Sequence, residues 1–100
     1  ENLDAAIQAY NSGLRVERRL LQPDHPNIIM ALTIVGQIHM QKKGWDDAAR
    51  FFTEVLELQR SNSRVEHRDT LFTLDVLALI YKMKGDTATS LKCQQDAQRM

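Results

Sequence analysis

Three histidines and one cysteine are the residues of this chain whose types could do chemistry. A metal site needs several donors converging on one point. His25, His39 and His67 form no pair whose spacing would set two ligands side by side on one helix face, and Cys93 lies far along the chain from all three. His25 and His67 read instead as residues at helix starts, and His39 as the occupant of an aromatic slot that Tyr81 fills further on. Cys93 follows Lys92, but a nucleophilic thiol also requires a placed base and an oxyanion site, and no pattern marks either. Gly13, Gly36, Gly44 and Gly85 are scattered, so no glycine-rich loop cradles a phosphate. The residues therefore assign no catalytic group, no cofactor and no metal.

The totals narrow the partners. Thirteen basic and thirteen acidic side chains leave no net charge over 100 residues. Arg18-Arg19 and Lys42-Lys43 are doublets with acids nearby, solvated helix faces rather than the basic stripe that tracks a phosphate backbone. Neutrality also weakens the repulsion between copies and so favours self-association. The longest strongly apolar run, Ile28 to Gly36, falls well short of the about 20 residues that span a bilayer. A single thiol cannot form an internal disulfide, which suits a reducing, intracellular and cytoplasmic setting. Neither nucleic acid nor membrane is an expected partner.

Apolar spacing supplies the elements. Ile28, Leu32, Val35 and Ile38 step by one helical turn, while Ile29, Met30, Ile34 and Met40 lie off that stripe. A helix apolar on more than one face is covered from two sides. Gly44 is expected to end it, and a second helix follows with Trp45, Ala48, Phe52 and Val55 on one stripe and Asp46 and Asp47 in its first turn. Gly36 and Ala48 are the small residues that let the two approach. A helix from residue 3 to about 21 precedes this pair, with Leu3, Ala6, Ile7, Tyr10, Leu14 and Val16 as its apolar face and Gly13 placed for close approach by the next helix. Asp24 is expected to cap the helix that begins near Pro26. A fourth helix runs from Glu66 to Lys84 with Leu71, Leu74, Leu77, Ala78 and Tyr81 inward, and a fifth from Thr87 to Arg99.

These helices repeat. A shift of 42 residues takes Ala6 to Ala48 and Ala48 to Ser90, Tyr10 to Phe52, Leu14 to Leu56, His25 to His67, Leu32 to Leu74 and Gly36 to Ala78. So many matches in size and polarity at one offset mark a repeat array. The fold expected is all-α, a solenoid of about five helices in antiparallel pairs, or two and a half repeats. Residues 1–24 form the second helix of a truncated repeat, 25–66 a complete repeat, and 67–100 a last repeat whose polar final helix, with Gln94 and Gln98 where relatives are apolar, acts as a cap. The chain begins at Glu1 inside a repeat and so reads as an excised piece.

The order Leu32, Val35, Gly36, His39, Ala48, Phe52, Val55, and then Leu74, Leu77, Ala78, Tyr81, Gly85, Ser90, Ala97, resembles the tetratricopeptide repeat. That repeat is usually about 34 residues long; the longer period and the linker Leu20-Leu21-Gln22-Pro23-Asp24-His25-Pro26 are similar to the kinesin light chain variety. The resemblance implies a right-handed superhelix whose first helices line a concave groove for a peptide or helix of a partner protein. Carried over residue by residue, that groove includes Met30, Thr33, Ile34, Gln37 and Met40, then Phe72, Asp75, Val76, Leu79 and Met83. Two departures shape the expected guest. Ile34 and Val76 stand where kinesin light chain repeats place a backbone-holding asparagine, and the basic clamp for a terminal carboxylate is missing. An apolar or amphipathic helix fits better.

The leading expectation is thus a non-catalytic protein-interaction module. Two others remain: a self-association module that dimerises through the open amino-terminal end or by exchange of a helix pair, and a helical scaffold within a larger enzyme or regulator.

Overall fold

Side chains at the helix starts decide where each element begins. In the computed structural model, which describes residues 2–100, Asn2 opens α1 (Leu3–Leu20) by accepting a hydrogen bond from Ala5 N at 3.0 Å. His25 opens α2 (Pro26–Gln41): its Nδ1 accepts from Asn27 N at 3.1 Å, with Pro26 in the first turn. The cap is therefore the imidazole and not Asp24. The latter offers its backbone carbonyl to Asn62 Nδ2 at 2.9 Å, which ties the linker of residues 21–25 to the linker of residues 62–66. The remaining helices are α3 (Trp45–Ser61), α4 (His67–Met83) and α5 (Thr87–Gln98).

Asp86 caps α5 through two bonds from Thr89, one from its hydroxyl at 2.7 Å and one from its N–H at 3.1 Å. These hydrogen bonds, the hydroxyl's first, hold the Asp86 carboxyl below the ordinary carboxylate range. A group shifted that way stabilises the fold above its unfolded value near 3.9 and loses this contribution as pH falls through the folded value. The difference in melting temperature between the wild type and Asp86→Asn is accordingly expected to be largest above about pH 5 and to shrink as pH drops below about 4. Calorimetry across that range checks it.

The two tight turns have the same backbone. Gly44 N donates to His39 O at 2.8 Å and Lys43 N to Met40 O at 2.9 Å; 42 residues on, Asp86 N donates to Tyr81 O at 2.8 Å and Gly85 N to Lys82 O at 3.0 Å. Such a paired closure needs one residue in the left-handed region. In the second turn that residue is Gly85, with φ 86°, as its type suggests. In the first it is Lys43, with φ 61°, and not the neighbouring glycine. Gly44, with φ −84°, is instead the N-cap of α3. An L-residue in that region bears roughly 1–2 kcal/mol of strain, partly offset by the lower unfolded-state entropy of lysine. Lys43→Gly is expected to raise stability by about 1 kcal/mol, measured as a higher urea midpoint at unchanged slope.

Packing follows the chain. Each helix lies chiefly against the ones before and after it, giving a slab of 35 × 34 × 16 Å with no strand among the described residues. Ile28, Leu32 and Val35 of α2 are fully excluded from solvent, and they join Ile7, Leu14 and Val55 in one core cluster. A second cluster holds Phe52 and Leu56 of α3 with Leu74, Leu77 and Ile80 of α4. Gly36 sets the α2–α3 distance, since a methyl group there would lie 2.7 Å from Phe52 Cε2. At Ser90, where the earlier copies carry Ala6 and Ala48, the buried hydroxyl donates to Ala78 O at 2.7 Å. Thr70 and Thr73 are buried beside the apolar residues of α4, and Leu71 is only half-buried. Thr73 passes as apolar because its hydroxyl donates to its own helix at Asp69 O.

The expected apolar face of α1 is only partly used. Ile7 and Leu14 are buried, whereas Tyr10 and Val16 are 39% and 55% exposed and Gly13 has nothing within 4 Å of where a methyl group would sit. Phe52 and Val55, the counterparts of Tyr10 and Gly13, are covered by α2; among the described residues no helix lies over that side of α1.

Candidate protein-binding groove

The site is built from α2 and α4, the two helices that carry apolar residues beyond what their core stripes require. On α2 the spare residues are Met30, Ile34 and, at polar positions on the same side, Thr33 and Gln37; on α4 they are Phe72, Leu79 and Met83, with Asp75 as the polar one. Met30, Phe72, Leu79 and Met83 are all about half exposed or more. Four of the expected residues, Met30, Thr33, Ile34 and Phe72, line one cleft of about 290 Å3 between the two helices. Gln37, Asp75, Leu79 and Met83 lie exposed outside it. Met40 and Val76 turn the other way and pack against the α3–α4 core cluster, which leaves them half-buried.

The cleft has members that apolar spacing alone did not bring out. Ile29 and Val65 extend its walls, and Gln59 of α3, Asp69 and Thr73 supply polar atoms. Gln59 is 8% exposed, and its Oε1 has no hydrogen-bond partner. Its position was readable, since Phe52, Leu56 and Gln59 fall on consecutive turns and place an amide on the core stripe. A buried polar group left without a partner costs about 1–3 kcal/mol. Gln59→Met, similar in length and apolar, is therefore expected to raise stability by about 1 kcal/mol in urea denaturation.

Two other clefts differ from this one in their linings. Tyr10, Gly13 and Val16 of α1 meet Asn27, Met30, Ala31 and Ile34 of α2 around about 570 Å3, so Met30 and Ile34 belong to both apolar clefts. The third, about 650 Å3 between α3 and α4, is charged: Asp46, Arg50, Glu54, Glu57 and Lys84 line it. There Lys84 Nζ bonds Asp46 at 2.6 Å and lies 5.2 Å from the centre of the Tyr81 ring. The Asp46 hydrogen bond holds this ammonium above the usual lysine range.

The residues best suited to chemistry are occupied otherwise. His25 caps α2, and His39 stacks on Phe51 with centroids 5.4 Å apart and rings 18° from parallel. Among the described residues no three His, Cys, Asp or Glu side chains are grouped so as to hold a metal ion. Cys93 packs against the second core cluster, and burial followed by the nearby Asp96 pushes its thiol up, away from the thiolate a nucleophile needs. No helix among the described residues is long and apolar enough to cross a membrane.

The fold has known counterparts. Two solved structures described as Podosopora anserina putative kinesin light chain nearly identical TPR-like repeats, one of them a substituted variant, superpose with a TM-score of 0.82. They are 16% and 17% identical in sequence; each alignment covers 95% of this chain and 45% of the other, so the chain spans less than half their length. No curated protein matches the sequence. The tetratricopeptide repeat family matches residues 31–100, the stretch that holds most of α2 and all of α3 to α5. With the 42-residue period and the paired turns, that match decides the classification: the chain belongs to the tetratricopeptide repeat family.

Proposed function

We propose that this chain is a non-catalytic protein-binding module whose groove between α2 and α4 holds a segment of a partner protein. The observation that carries the reading is the exposed row of Met30, Phe72, Leu79 and Met83 on helices whose core stripes are already filled by Ile28, Leu32, Val35, Leu74 and Leu77. Exposed apolar area in and beside a partly polar cleft supports a docking surface over a packing remainder. Methionine suits it, because an unbranched side chain adapts to a guest. Tetratricopeptide repeats in general bind proteins, and the groove is where a helix or an extended peptide gains most cover. The test is selection of binders from a displayed library of random peptides, followed by fluorescence anisotropy on the chain and on Phe72→Lys. Capture that depends on Phe72 supports the groove; capture indifferent to it places binding elsewhere.

A second reading is self-association through α1. Tyr10, Val16 and Leu20 are exposed on one helix, and each 100 Å2 of apolar surface covered is worth about 2.5 kcal/mol. Light scattering over a range of concentrations distinguishes it: a mass that rises with concentration, and returns to the monomer value in Val16→Lys, supports a dimer through that end. A monomer throughout removes it. Within a longer protein the same groove would serve as a scaffold, consistent with the larger span of the two structural counterparts.

A further inference from the structure

The polar side chains of the cleft between α2 and α4 offer several hydrogen-bond acceptors against one free donor group, the Gln59 amide nitrogen. Thr33 Oγ1 donates to Ile29 O at 2.8 Å and Thr73 Oγ1 to Asp69 O at 3.2 Å, so both hydroxyl protons are committed and only lone pairs remain. Gln59 Oε1, in a side chain more than nine-tenths buried, has no partner. The Asp69 carboxylate stands at the cleft in no ion pair among the described residues, and Asp75, six residues further along α4 and outside the cleft, is exposed in the same condition. No lysine or arginine lines the cleft; those nearest its residues in sequence are Arg60, which follows Gln59, Arg64, in the linker, and Arg68, which pairs with Glu66 at 3.0 Å. The walls are aliphatic and aromatic: Ile29, Met30, Ile34, Val65 and Phe72.

Resting on the groove reading above, we propose that this cleft is a subsite for a basic side chain of the bound segment, of the lysine type. A lysine has a long apolar stem that lies well along such walls, and an ammonium with three donors and no acceptor. Burying that charge is favourable only where it is paired and its protons are accepted. Here Asp69 supplies the countercharge, and the Gln59 amide and the two threonine oxygens supply the acceptors. The unpartnered Gln59 oxygen is enclosed in the free chain, and a turn of the amide about its last side-chain torsion would bring it to the guest. An acidic residue in its place would meet Asp69 and find the threonine protons already given away, so charge gives the groove its selectivity.

The experiment uses three probes with one stem and different heads: hexylammonium, hexanol and hexanoate. Each is titrated into the isotope-labelled chain while the Gln59 side-chain amide and the Thr33 and Thr73 methyl resonances are followed. Hexylammonium is expected to shift these signals and to bind about tenfold or more tighter than hexanoate, with hexanol between them. Asp69→Asn is expected to remove most of that preference, and Gln59→Met to weaken the ammonium without strengthening the carboxylate, circular dichroism confirming the fold of both. Hexanol or hexanoate binding this cleft as tightly as the ammonium overturns the proposal while the groove stands. Silence of the cleft toward all three probes, with a library-selected peptide still shifting Met30 and Phe72, likewise removes the basic subsite and spares the groove. Silence toward both probes and peptide removes the subsite and the groove together.

Discussion

Phe52→Ala is expected to destabilise the chain by about 3–5 kcal/mol, a large part of the roughly 5–15 kcal/mol that holds a typical domain. The ring is fully buried, and it touches both neighbours of α3: Gly36 of α2 on one side, and the cluster of Leu74, Leu77 and Ile80 of α4 on the other. Its loss opens a cavity that neither helix can close, because each is held from its far side as well. Gly36→Ala probes the same contact from the opposite direction. The added methyl would improve intrinsic helix propensity by about 1 kcal/mol, but it meets a rigid buried ring at 2.7 Å and 2.9 Å. Overpacking of this kind costs roughly 1–3 kcal/mol, so the net effect is expected to be destabilising. Combining Gly36→Ala with Phe52→Leu should then lose less than the sum of the single changes, and a double-mutant cycle in urea reads the coupling. Strict additivity would mean that the two positions do not set the interhelical distance.

Phe72→Lys carries the largest functional effect. The ring is 52% exposed and belongs to the groove rather than to either core cluster, so stability is expected to change by no more than about 0.5 kcal/mol. Binding of a groove-selected peptide is expected to fall about tenfold or more, that is by about 1.4 kcal/mol at least, because an aromatic anchor is lost and a cation is placed where a cationic guest is favoured. The comparison with Val76 explains the choice of position. Val76 is half-buried and packs on the α3–α4 cluster, so a charge there would disturb fold and groove together.

The architecture was legible because a 42-residue shift superimposes helix on helix: Leu32 on Leu74, Tyr10 on Phe52 and Gly36 on Ala78. The same shift also held the answer to the first turn, since it takes Lys43, and not Gly44, to Gly85. Residue type pointed to the wrong partner where register pointed to the right one. For Tyr10 and Gly13 the copies misled, because burial belongs to the neighbour as much as to the residue. Phe52 and Val55 have α2 over them, and the corresponding side of α1 is open. His25 was expected at a helix start, but its role depends on an imidazole nitrogen reaching the Asn27 amide, which spacing alone does not report. The groove divided in the same manner. Met30, Thr33, Ile34 and Phe72 converge on one cleft, while Met40 and Val76 rotate toward the core. Gln59 and Thr73 sit on core stripes that the sequence displays, but that they face the cleft depends on how α2, α3 and α4 pack, which spacing alone does not report.

The most direct measurement is a resonance-shift map of the isotope-labelled chain saturated with its tightest library-selected peptide. The largest shifts are expected at Met30, Thr33, Ile34, Gln59 and Phe72, with little change at Arg50, Glu54 and Glu57 in the charged cleft between α3 and α4. Shifts concentrated in that charged cleft, or on α5, with the α2–α4 residues unmoved, would contradict a groove that binds protein.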